Sequence, residues 1–570
     1  MRTLRTLALA LLIAGLASAR TVTLTLLVTT DMHGNLLPYD FYTAKPAPRG
    51  LTKIATLIRE VRAETPNVVL VDCGDTIQGV PLEGVYQHVV RFGKMPLGLA
   101  KPAGLDGDPM LRAMSELKYD AMVLGNHEFN FGWKNLEAAR RDAKFPLLSA
   151  NTHVAEGAGR PFEPWVVKTV GGVKIAIVGI TTPTIPMWEE ADNIHGYSFT
   201  PGKDAAAKAV AEVRRKEHPD IVVVAAHAGL GRDARTGAPE RTDLPGENMV
   251  YDIAEGVEGV DGIVFGHTHG QMASGNIGKV LLMQPKNWAM SLGRMDFTLD
   301  DGGGSWKVTA KSSRLMPVTV DTPVDAGLEA LGKPYFEAAE SYLKAPVALA
   351  DEALSSEFSR VRDTALIDAI QEVQLAYAKA DVSFTSSFNT RVRIHKGPVT
   401  VRELAALYLY DNTLYAVEGT GRMVREALEN AARFYLPCVA DCSGERLTNT
   451  KMPGYNFDMA QGVDYEIDLS KPEGQRIRNL RYKGQPLADD RKLRIAINNY
   501  RAGGSGGYTM FKGATVAWRS NDEIRDMMIE YFTKKKALPK AADGNWRIAP
   551  EAARVALERE AGHERGGSMQ

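Results

Sequence analysis

Six short runs of apolar residues, each leading directly into polar residues, restrict the possible folds of this chain more than any other feature. Continuous Val, Ile and Leu runs are typical of parallel strands that are buried on both faces. In open α/β sheets, functional crevices lie just outside the carboxyl ends of such strands. Five of the runs end in Asp, Asn or His, so the sequence predicts one polar, metal-binding site at the strand ends. The six segments are Leu26–His33, Val68–Asp75, Met122–Glu128, Ile175–Thr182, Val222–His227 and Ile263–His269.

The length of 570 residues predicts two or three domains, and the pattern is that of the α/β class. Strands alternate with helical stretches, such as 204–218, over residues 21–315, and this alternation predicts a largely parallel sheet. Helical periodicity returns over 325–343 and 363–380. The predicted boundaries are 1–19 for a targeting segment, 20–320 for a first domain, 321–345 for a connecting helix, 346–545 for a second domain and 546–570 for a polar tail.

The N-terminus has the pattern of a secretory signal peptide. Arg2 and Arg5 form a positive start, an apolar core covers residues 7–16, and Ala17–Ala19 is a cleavage site of the A-x-A type. The core is too short for a permanent membrane span, and no other segment has ~20 consecutive apolar residues. We therefore expect an exported protein, periplasmic or secreted after cleavage near Ala19, with an uncleaved anchor as the alternative.

The charge balance excludes some classes of partner. The formal net charge is −1, with 68 Lys and Arg residues against 69 Asp and Glu residues. This balance argues against broad electrostatic attraction to nucleic-acid polymers or anionic membranes, although a local basic pocket remains compatible with it.

The three cysteines fall into two kinds of position. Cys73 lies inside a predicted strand and is expected to be a buried free thiol. Cys438 and Cys442 are close together in a loop and could pair in an oxidising compartment or remain two free thiols. We expect the disulfide.

The polar residues at the strand ends offer both nitrogen and oxygen ligands. Asp75 follows Gly74, which permits a sharp turn, and one carboxylate can bridge two cations in a hydrolytic two-metal site. Imidazole mixed with carboxylate suits two divalent ions such as Zn, Mn, Fe or Co, and not a pure Mg or Ca cage. Scattered core histidines are the alternative for any single residue, but not for five strand ends together. The predicted sets are Asp31, His33, Asp75 and His269 for one metal, and Asp75, Asn126, His227 and His267 for the other.

His127 follows the predicted ligand Asn126 and is not itself needed as a ligand, because neighbours on a turn point in different directions. It is the candidate for stabilising a transition state or protonating a leaving alkoxide. Asn130, three residues on, could orient this imidazole by a hydrogen bond. Glu128 is expected to serve hydrogen bonds within its own loop.

The strand-end residues form five strings that, in this order, resemble the calcineurin-like metallophosphoesterases. The strings are Asp31-Met-His33-Gly, Gly-Asp75, Gly-Asn126-His127-Glu128, His227-Ala-Gly and Gly-His267-Thr-His269. Three downstream strings resemble the C-terminal domain of the exported 5′-nucleotidase family, namely Tyr410-Asp-Asn412-Thr-Leu-Tyr, the segment Gly454–Asp468 and Asn498-Asn-Tyr500-Arg. The resemblance covers roughly residues 21–540. It implies an N-terminal two-metal β-sandwich flanked by helices, joined by a helix to a C-terminal α/β domain that binds the nucleoside.

Within that family, the chain looks more like the 2′,3′-cyclic-nucleotide 2′-phosphodiesterase/3′-nucleotidase branch. The 5′-nucleotidase and UDP-sugar hydrolase branch usually has Asp where this chain has Asn130, and Gln where it has His269. Asn130 can still orient His127 through a hydrogen bond, but unlike Asp it brings no charge to the imidazole.

The resemblance also implies a base-binding pocket in the second domain. Tyr410 and Tyr500 would sandwich the nucleobase, since aromatic stacking contributes ~1–3 kcal/mol and tolerates every base. Asn412 would bond to the base edge or the ribose, and Arg391 or Arg393 would meet the phosphate because Arg binds it bidentately. Ordinary core or turn packing is the alternative for each tyrosine, since the chain has 19 of them.

The implied function is hydrolysis of nucleotides by metal-activated water, with opening of 2′,3′-cyclic nucleotides followed by removal of the 3′-phosphate. A 5′-nucleotidase or UDP-sugar hydrolase on the same scaffold is the alternative, against which Asn130 and His269 speak mildly. A non-catalytic nucleotide-binding or adhesion protein is a third possibility, opposed by the presence of every predicted ligand. A thiosulfohydrolase relative ranks last, because the tyrosine strings resemble the nucleotide branch. The sequence leaves the oligomeric state open.

Overall fold

The computed structural model describes residues 20–156, 161–187, 189, 191–239, 245–302, 304–410, 412–438, 442 and 446–566, so the predicted signal peptide lies outside the described residues. Within them, two six-stranded sheets form an N-terminal sandwich, and a five-stranded and a four-stranded sheet form the C-terminal domain. No helix among the described residues is both long and apolar enough to cross a membrane.

The N-terminal domain is built on two mixed sheets whose central strands run parallel. Each sheet has three parallel pairings, and antiparallel strands lie at one edge of the first sheet and at both edges of the second. In spatial order, the strands of the first sheet are Lys307–Pro317, Ser291–Asp300, Thr21–Thr29, Val68–Asp72, Ala121–Val123 and Leu147–Leu148. Those of the second sheet are Met272–Ile277, Val280–Gln284, Gly262–Phe265, Ile221–His227, Val173–Thr181 and Trp165–Val170.

All six predicted strands are present, and they are divided between two sheets, as the family resemblance implies and the strand pattern alone does not. The inner faces of the sheets share an apolar core in which Leu26 and Val69 of the first sheet lie with Ile177 and Val223 of the second. Helices cover the opposite faces, so the central strands are buried on both sides. A strand buried on both sides has the same sequence pattern in one sheet or in a sandwich, and the pattern alone therefore does not separate the two arrangements.

The helices of the N-terminal domain follow the strands in βαβ order, and a longer helix leaves the domain. The connecting helix Ala326–Lys344 begins at the N-cap Asp325, whose side chain accepts the N–H of Leu328. It packs on the N-terminal domain, where the ring of Tyr335 lies 5.8 Å from that of Tyr86. The N-terminal helices are Leu51–Glu64, Pro81–Phe92, Pro109–Glu116, Trp133–Asp142, Gly202–Glu217 and Val250–Gly256.

The C-terminal domain places a five-stranded mixed sheet beside helices and a smaller sheet. A capping box begins helix Val401–Ala405, where Thr400 and Glu403 exchange hydrogen bonds. The five-stranded sheet has the order Asp458–Gln461, Val382–Ser386, Lys492–Asn498, Thr413–Thr420 and Val516–Glu523. The four-stranded sheet has the order Gln485–Pro486, Ile477–Tyr482, Asp464–Asp468 and Trp546–Ala549. The remaining helices are Ala365–Ala378, Gly421–Ala432, Asn499–Ala502, Ile524–Lys535 and Glu551–Gly566.

Short two-stranded ribbons complete the described strands. They pair Tyr39–Asp40 with Lys45–Pro46, Thr152–Val154 with Tyr197–Phe199, Pro346–Ala350 with Gly397–Thr400, and Leu354–Ser355 with Arg393–Ile394.

The segment 546–566 differs from the polar tail that the sequence predicts. Strand Trp546–Ala549 pairs in parallel with Asp464–Asp468, and Trp546 is buried. The helix that follows buries Leu557, and the carboxylate of Glu560 accepts the N–H of Thr448 at 3.1 Å. The prediction was wrong here because a strand of four residues and a charged helix have too few apolar positions to be recognised without their distant partners.

The predicted disulfide is confirmed. Cys438 and Cys442 are paired, while Cys73 is a buried free thiol within the described chain, as predicted.

Candidate metal centre

The predicted ligands converge at the strand ends of both sheets and form two groups. In the first, ligand atoms of Asp31, His33 and His269 lie within 4.8 Å of one another, and in the second the same is true of Asp75, His227 and His267. Asn126 joins the second group through contacts with both of its histidines. We call the first set the Asp31 group, and the second, including Asn126, the His227 group.

The turns that carry these ligands have an unusual backbone. Left-handed φ angles are rare for residues other than glycine and cluster at functional sites, where surrounding contacts maintain the strain. Gly74, with φ of 94°, lies so close to the neighbouring loop that a Cβ atom would be 2.5 Å from the N atom of Gly125. The ligand residues with positive φ are Asp31 (49°), His33 (46°), Asp75 (58°), His267 (75°) and His269 (53°).

In the Asp31 group, His33 has a defined tautomer. Its Nδ1 lies 3.2 Å from the backbone oxygen and from Oε1 of Gln78. Both oxygens can only accept, so Nδ1 donates. Burial, aided by the charge of His269, lowers the pKa of His33 to about 4, which leaves Nε2 unprotonated at neutral pH. That lone pair faces Nε2 of His269 at 2.9 Å and needs a proton or a metal ion between them.

In the His227 group, each of the two imidazoles donates a hydrogen bond from one ring nitrogen to an oxygen of the protein. Nδ1 of His227 donates to the backbone oxygen of Cys73 at 2.7 Å, and Nε2 of His267 donates to Oε1 of Glu247 at 3.1 Å. Their other nitrogens each lie 3.0 Å from Oδ1 of Asn126. When both imidazoles are neutral, these two nitrogens and Oδ1 of Asn126 are all acceptors that face one another, which is the arrangement of a cation site.

Asp75 lies between the two groups. Its Oδ2 is 3.1 Å from Nε2 of His227 and 3.9 Å from Nε2 of His33. Burial alone would raise the pKa of this carboxyl, but His227 and His127 bring it well below its ordinary value. Burial opposes charge on His227, yet Asp75 raises the pKa of that imidazole to about 10, so metal binding must displace a proton there. The donors fit divalent metal ions.

His127 lies beside the ligands, and a chain of hydrogen bonds holds it. Its Nδ1 is 2.6 Å from Oδ1 of Asn130, whose Nδ2 donates to Oε2 of Glu189 at 2.5 Å. The second oxygen of Glu189 accepts from Asn193 at 2.8 Å. Since Oδ1 of Asn130 accepts, Nδ1 of His127 donates. Glu189, the next residue in this chain of hydrogen bonds, therefore supplies the negative charge that Asn130 lacks.

Sequence reasoning missed three residues that orient the predicted ones. Gln78 holds His33, Glu247 holds His267, and Glu189 holds Asn130, but each lies in a loop without a recognisable motif. Glu128 does serve the loops, because its carboxylate accepts the N–H groups of Asp75, Thr76 and Gly125 at 2.6–2.9 Å.

The two predicted stacking residues are exposed on the C-terminal domain. Tyr410 is 46% exposed and Tyr500 is 47% exposed, which is high for aromatic side chains in ordered segments. The ring of Tyr410 lies 5.0 Å from Phe388 and 6.3 Å from Tyr455. Burial and the nearby Tyr455 raise the pKa of Tyr410, and Tyr500 adds to the effect.

The two other predicted substrate-binding residues have different surroundings. Nδ2 of Asn412 lies 3.3 Å from the hydroxyl of the buried Tyr408, next to the aromatic group. Arg391 is on an exposed turn, where its backbone N–H donates to Oδ1 of Asn389 at 3.0 Å.

A different arginine, Arg360, lies near the aromatic side chain of Tyr410. Arg360 donates from Nη2 to the backbone oxygen of Ser387 at 2.7 Å and lowers the pKa of Tyr410, against the larger opposing effects of burial and Tyr455. A Cβ atom on Gly454 would be 2.0 Å from Nη1 of Arg360, so glycine is required for this packing. The sequence offered no motif that separates Arg360 from other surface arginines.

Comparisons with known proteins agree with both halves of the chain. Residues 24–271 match the calcineurin-like phosphoesterase family, and residues 344–513 match the 5′-nucleotidase C-terminal domain. A 2′,3′-cyclic-nucleotide 2′-phosphodiesterase/3′-nucleotidase of Salmonella typhimurium is 32% identical over 96% of this chain and 92% of its own. The trifunctional nucleotide phosphoesterase protein YfkN of Bacillus subtilis is 30% identical over 94% of this chain, which spans 39% of that longer protein.

The architecture also has a counterpart among solved structures. A putative 5′-nucleotidase from Staphylococcus aureus, in complex with alpha-ketoglutarate, has a TM-score of 0.69 and 25% identity, covering 92% of this chain and 100% of that chain. The predicted β-sandwich with a C-terminal α/β domain is thereby confirmed, and the donor groups in this fold imply divalent metal ions. The chain belongs to the 5′-nucleotidase family of calcineurin-like phosphoesterases and is a phosphoric ester hydrolase.

Proposed function

We propose that this protein hydrolyses nucleotides, opening 2′,3′-cyclic nucleotides and then removing the 3′-phosphate. The observation that carries the proposal is the pair of adjacent metal-ligand groups, with Oδ2 of Asp75 in the second group 3.9 Å from Nε2 of His33 in the first, in a chain whose second domain exposes Tyr410 and Tyr500. The name of the Salmonella relative and its 32% identity support the substrate class. The likeness to the Staphylococcus aureus structure keeps 5′-nucleotides as the alternative.

The proposed roles follow from the donor atoms. Two divalent ions, for which Zn, Mn, Fe and Co suit the mixed imidazole and carboxylate donors, would supply Lewis acidity and lower the pKa of water. The proposed ligands are Asp31, His33, Asp75 and His269 for one ion, and Asp75, Asn126, His227 and His267 for the other.

His127 is the proposed general acid. In each hydrolysis, the oxygen of water bonds to phosphorus, the bond from phosphorus to the ribose oxygen breaks, and His127 gives its Nε2 proton to the departing oxygen. Asn130 accepts the hydrogen bond from Nδ1 and so keeps Nε2 of His127 as the nitrogen that releases its proton. Tyr410 and Tyr500 stack on the base, with Asn412 at its edge, while Arg391 remains the proposed phosphate contact.

A substrate panel tests this function. Purified protein loaded with Mn²⁺ is incubated with 2′,3′-cyclic AMP, 3′-AMP, 5′-AMP or UDP-glucose, and loss of substrate and formation of each product are followed by chromatography. We expect the highest kcat/KM for 2′,3′-cyclic AMP and 3′-AMP. Preference for 5′-AMP or UDP-glucose would establish the alternative, and hydrolysis of none of the four would contradict the proposal.

Replacing Tyr500 with Ala should raise KM for 3′-AMP roughly tenfold, because loss of base stacking costs ~1–3 kcal/mol. The expected effect on kcat is smaller, because the proposed role of the ring is to bind the base and not to act on the reacting phosphorus. Tyr500→Phe keeps the ring and serves as the matched control, with KM expected near that of the wild type. An unchanged KM in Tyr500→Ala would remove this residue from the pocket.

We also propose that the protein is exported. The proposal rests on the signal-peptide pattern of residues 1–19 and on the Cys438–Cys442 disulfide, since disulfides persist mainly in oxidising compartments. N-terminal sequencing of protein recovered from outside the cytoplasm tests it, with Arg20 as the expected first residue.

A further inference from the structure

A buried hydrogen bond joins the two domains beside the metal ligands. Nε2 of Gln78, in the N-terminal domain, donates to Oε1 of Glu523, in the C-terminal domain, at 2.6 Å. Each residue is only 8% exposed. A charged acceptor makes this bond stronger than one between neutral groups, and burial keeps water from replacing it. We call this contact the Gln78–Glu523 link.

The link also determines which end of the Gln78 amide faces His33. Because Nε2 of Gln78 donates to Glu523, Oε1 of the same amide is turned to Nδ1 of His33, 3.2 Å away. Together with the backbone oxygen of Gln78, which lies at the same distance, that orientation keeps the proton of His33 on Nδ1 and the lone pair on Nε2, toward Asp31 and His269. A reversed amide would present its NH₂ group to Nδ1 and favour the tautomer that cannot use Nε2 as a ligand.

Glu523 is itself fixed on both sides. It forms an ion pair with Arg525, whose guanidinium lies 4.5 Å from the ring of Tyr42 in the N-terminal domain. Glu523 also ends the strand that pairs with Thr413, and the next N–H, that of Ile524, donates to the backbone oxygen of Asn412 at 2.9 Å. Glu523 is therefore held beside the segment that contains Asn412 and, two residues before it, the exposed Tyr410.

We propose that Glu523 is a positioning residue which, through Gln78, couples the placement of the C-terminal domain to the orientation of the metal ligand His33. The inference rests on the proposed metal sites and extends them. With the domains placed as in this structure, the carboxylate holds the amide and the amide holds the imidazole. If the C-terminal domain moves away, the amide loses its acceptor and the Asp31 group loses part of its alignment.

The test measures metal binding, not turnover. Calorimetric titration of the metal-free full chain with Mn²⁺ should show one site weakened about tenfold in Glu523→Ala, since loss of a group that orients a metal ligand typically costs 10–100-fold in affinity. Glu523→Gln keeps an oxygen that can accept from Gln78 and should bind nearly as the wild type does. Arg519→Ala is the matched control, because it removes another contact between the domains, 2.7 Å from Nη2 to the oxygen of Pro186.

A reciprocal exchange separates this role from general destabilisation. Gln78→Glu places two carboxylates opposite each other, and their repulsion should turn the new side chain away from its place beside His33 and weaken Mn²⁺ binding about tenfold. Adding Glu523→Gln restores a donor and an acceptor with their places exchanged, and the double variant should regain most of the affinity. Binding by Glu523→Ala equal to that of the wild type and of Arg519→Ala would overturn this inference alone. Wild-type protein that binds no Mn²⁺ would overturn it together with the proposed metal sites.

Discussion

Replacing Asp75 with Asn should lower kcat for phosphate release about 10³-fold, because the proposed role of this carboxylate as a ligand to both metal ions would contribute several kcal/mol of transition-state stabilisation. The substitution removes charge and almost no volume. Oδ1 of Asn at this position can still accept the N–H of His127, which Asp75 accepts at 2.9 Å. The loss should therefore come from the site and not from the fold. Steady-state assays and metal content after dialysis measure both parts of the expectation, with fewer bound ions in the variant.

The control for this variant is Asp204→Asn, which makes the same chemical change at an exposed position in the first turn of helix Gly202–Glu217. Its activity and metal content should equal those of the wild type. Thermal unfolding of both variants reports on folding. Near-normal turnover in a folded Asp75→Asn protein would refute the shared role of this carboxylate.

Replacing His127 with Ala should lower kcat for 3′-AMP by about 10²–10³-fold, in the range typical of a lost general acid. The size of the loss should depend on the leaving group. A ribose oxygen needs a proton as it departs, whereas p-nitrophenolate is stable without one. Phosphate release from p-nitrophenyl phosphate should consequently fall much less, and comparing the two substrates at saturating concentration measures the difference.

The neighbours of His127 provide the matched variants. Glu189→Gln keeps an acceptor for Asn130 but removes the charge from the chain of hydrogen bonds, and kcat for 3′-AMP should fall by less than in His127→Ala. Equal losses for both substrates in His127→Ala would exclude proton donation to the leaving oxygen and leave a role in binding.

Much of the metal site could be predicted because its information is local. Each proposed ligand lies within a few residues of a buried strand. The carboxyl ends of the parallel strands of both sheets lie at the same end of the sandwich, so the ligands come together even though they belong to different sheets. The strand pattern did not predict the division into two sheets, since burial on both faces produces the same Val- and Ile-rich runs in either arrangement, and only the family resemblance implied a sandwich. The fold class and the candidate site could be predicted because the patterns that indicate them lie within short stretches of the sequence.

The residues that orient the ligands depend on long-range placement instead. Gln78 and Glu523 are 445 residues apart in the sequence, and Glu189 reaches Asn130 from a loop 59 residues away. Polar residues in loops are common, and no spacing distinguishes these from solvated ones. The same limit applies to Trp546, whose strand is recognised only through its pairing with Asp464–Asp468.

The left-handed backbone of the ligand turns implies a trade-off between stability and function. Five ligand residues hold φ angles between 46° and 75°, at a cost of about 1 kcal/mol each. Surrounding packing has to supply that energy even when no ion is bound. A chain released from selection for metal binding could relax by accepting glycine or asparagine at these turns, and it would gain thermal stability while becoming inert.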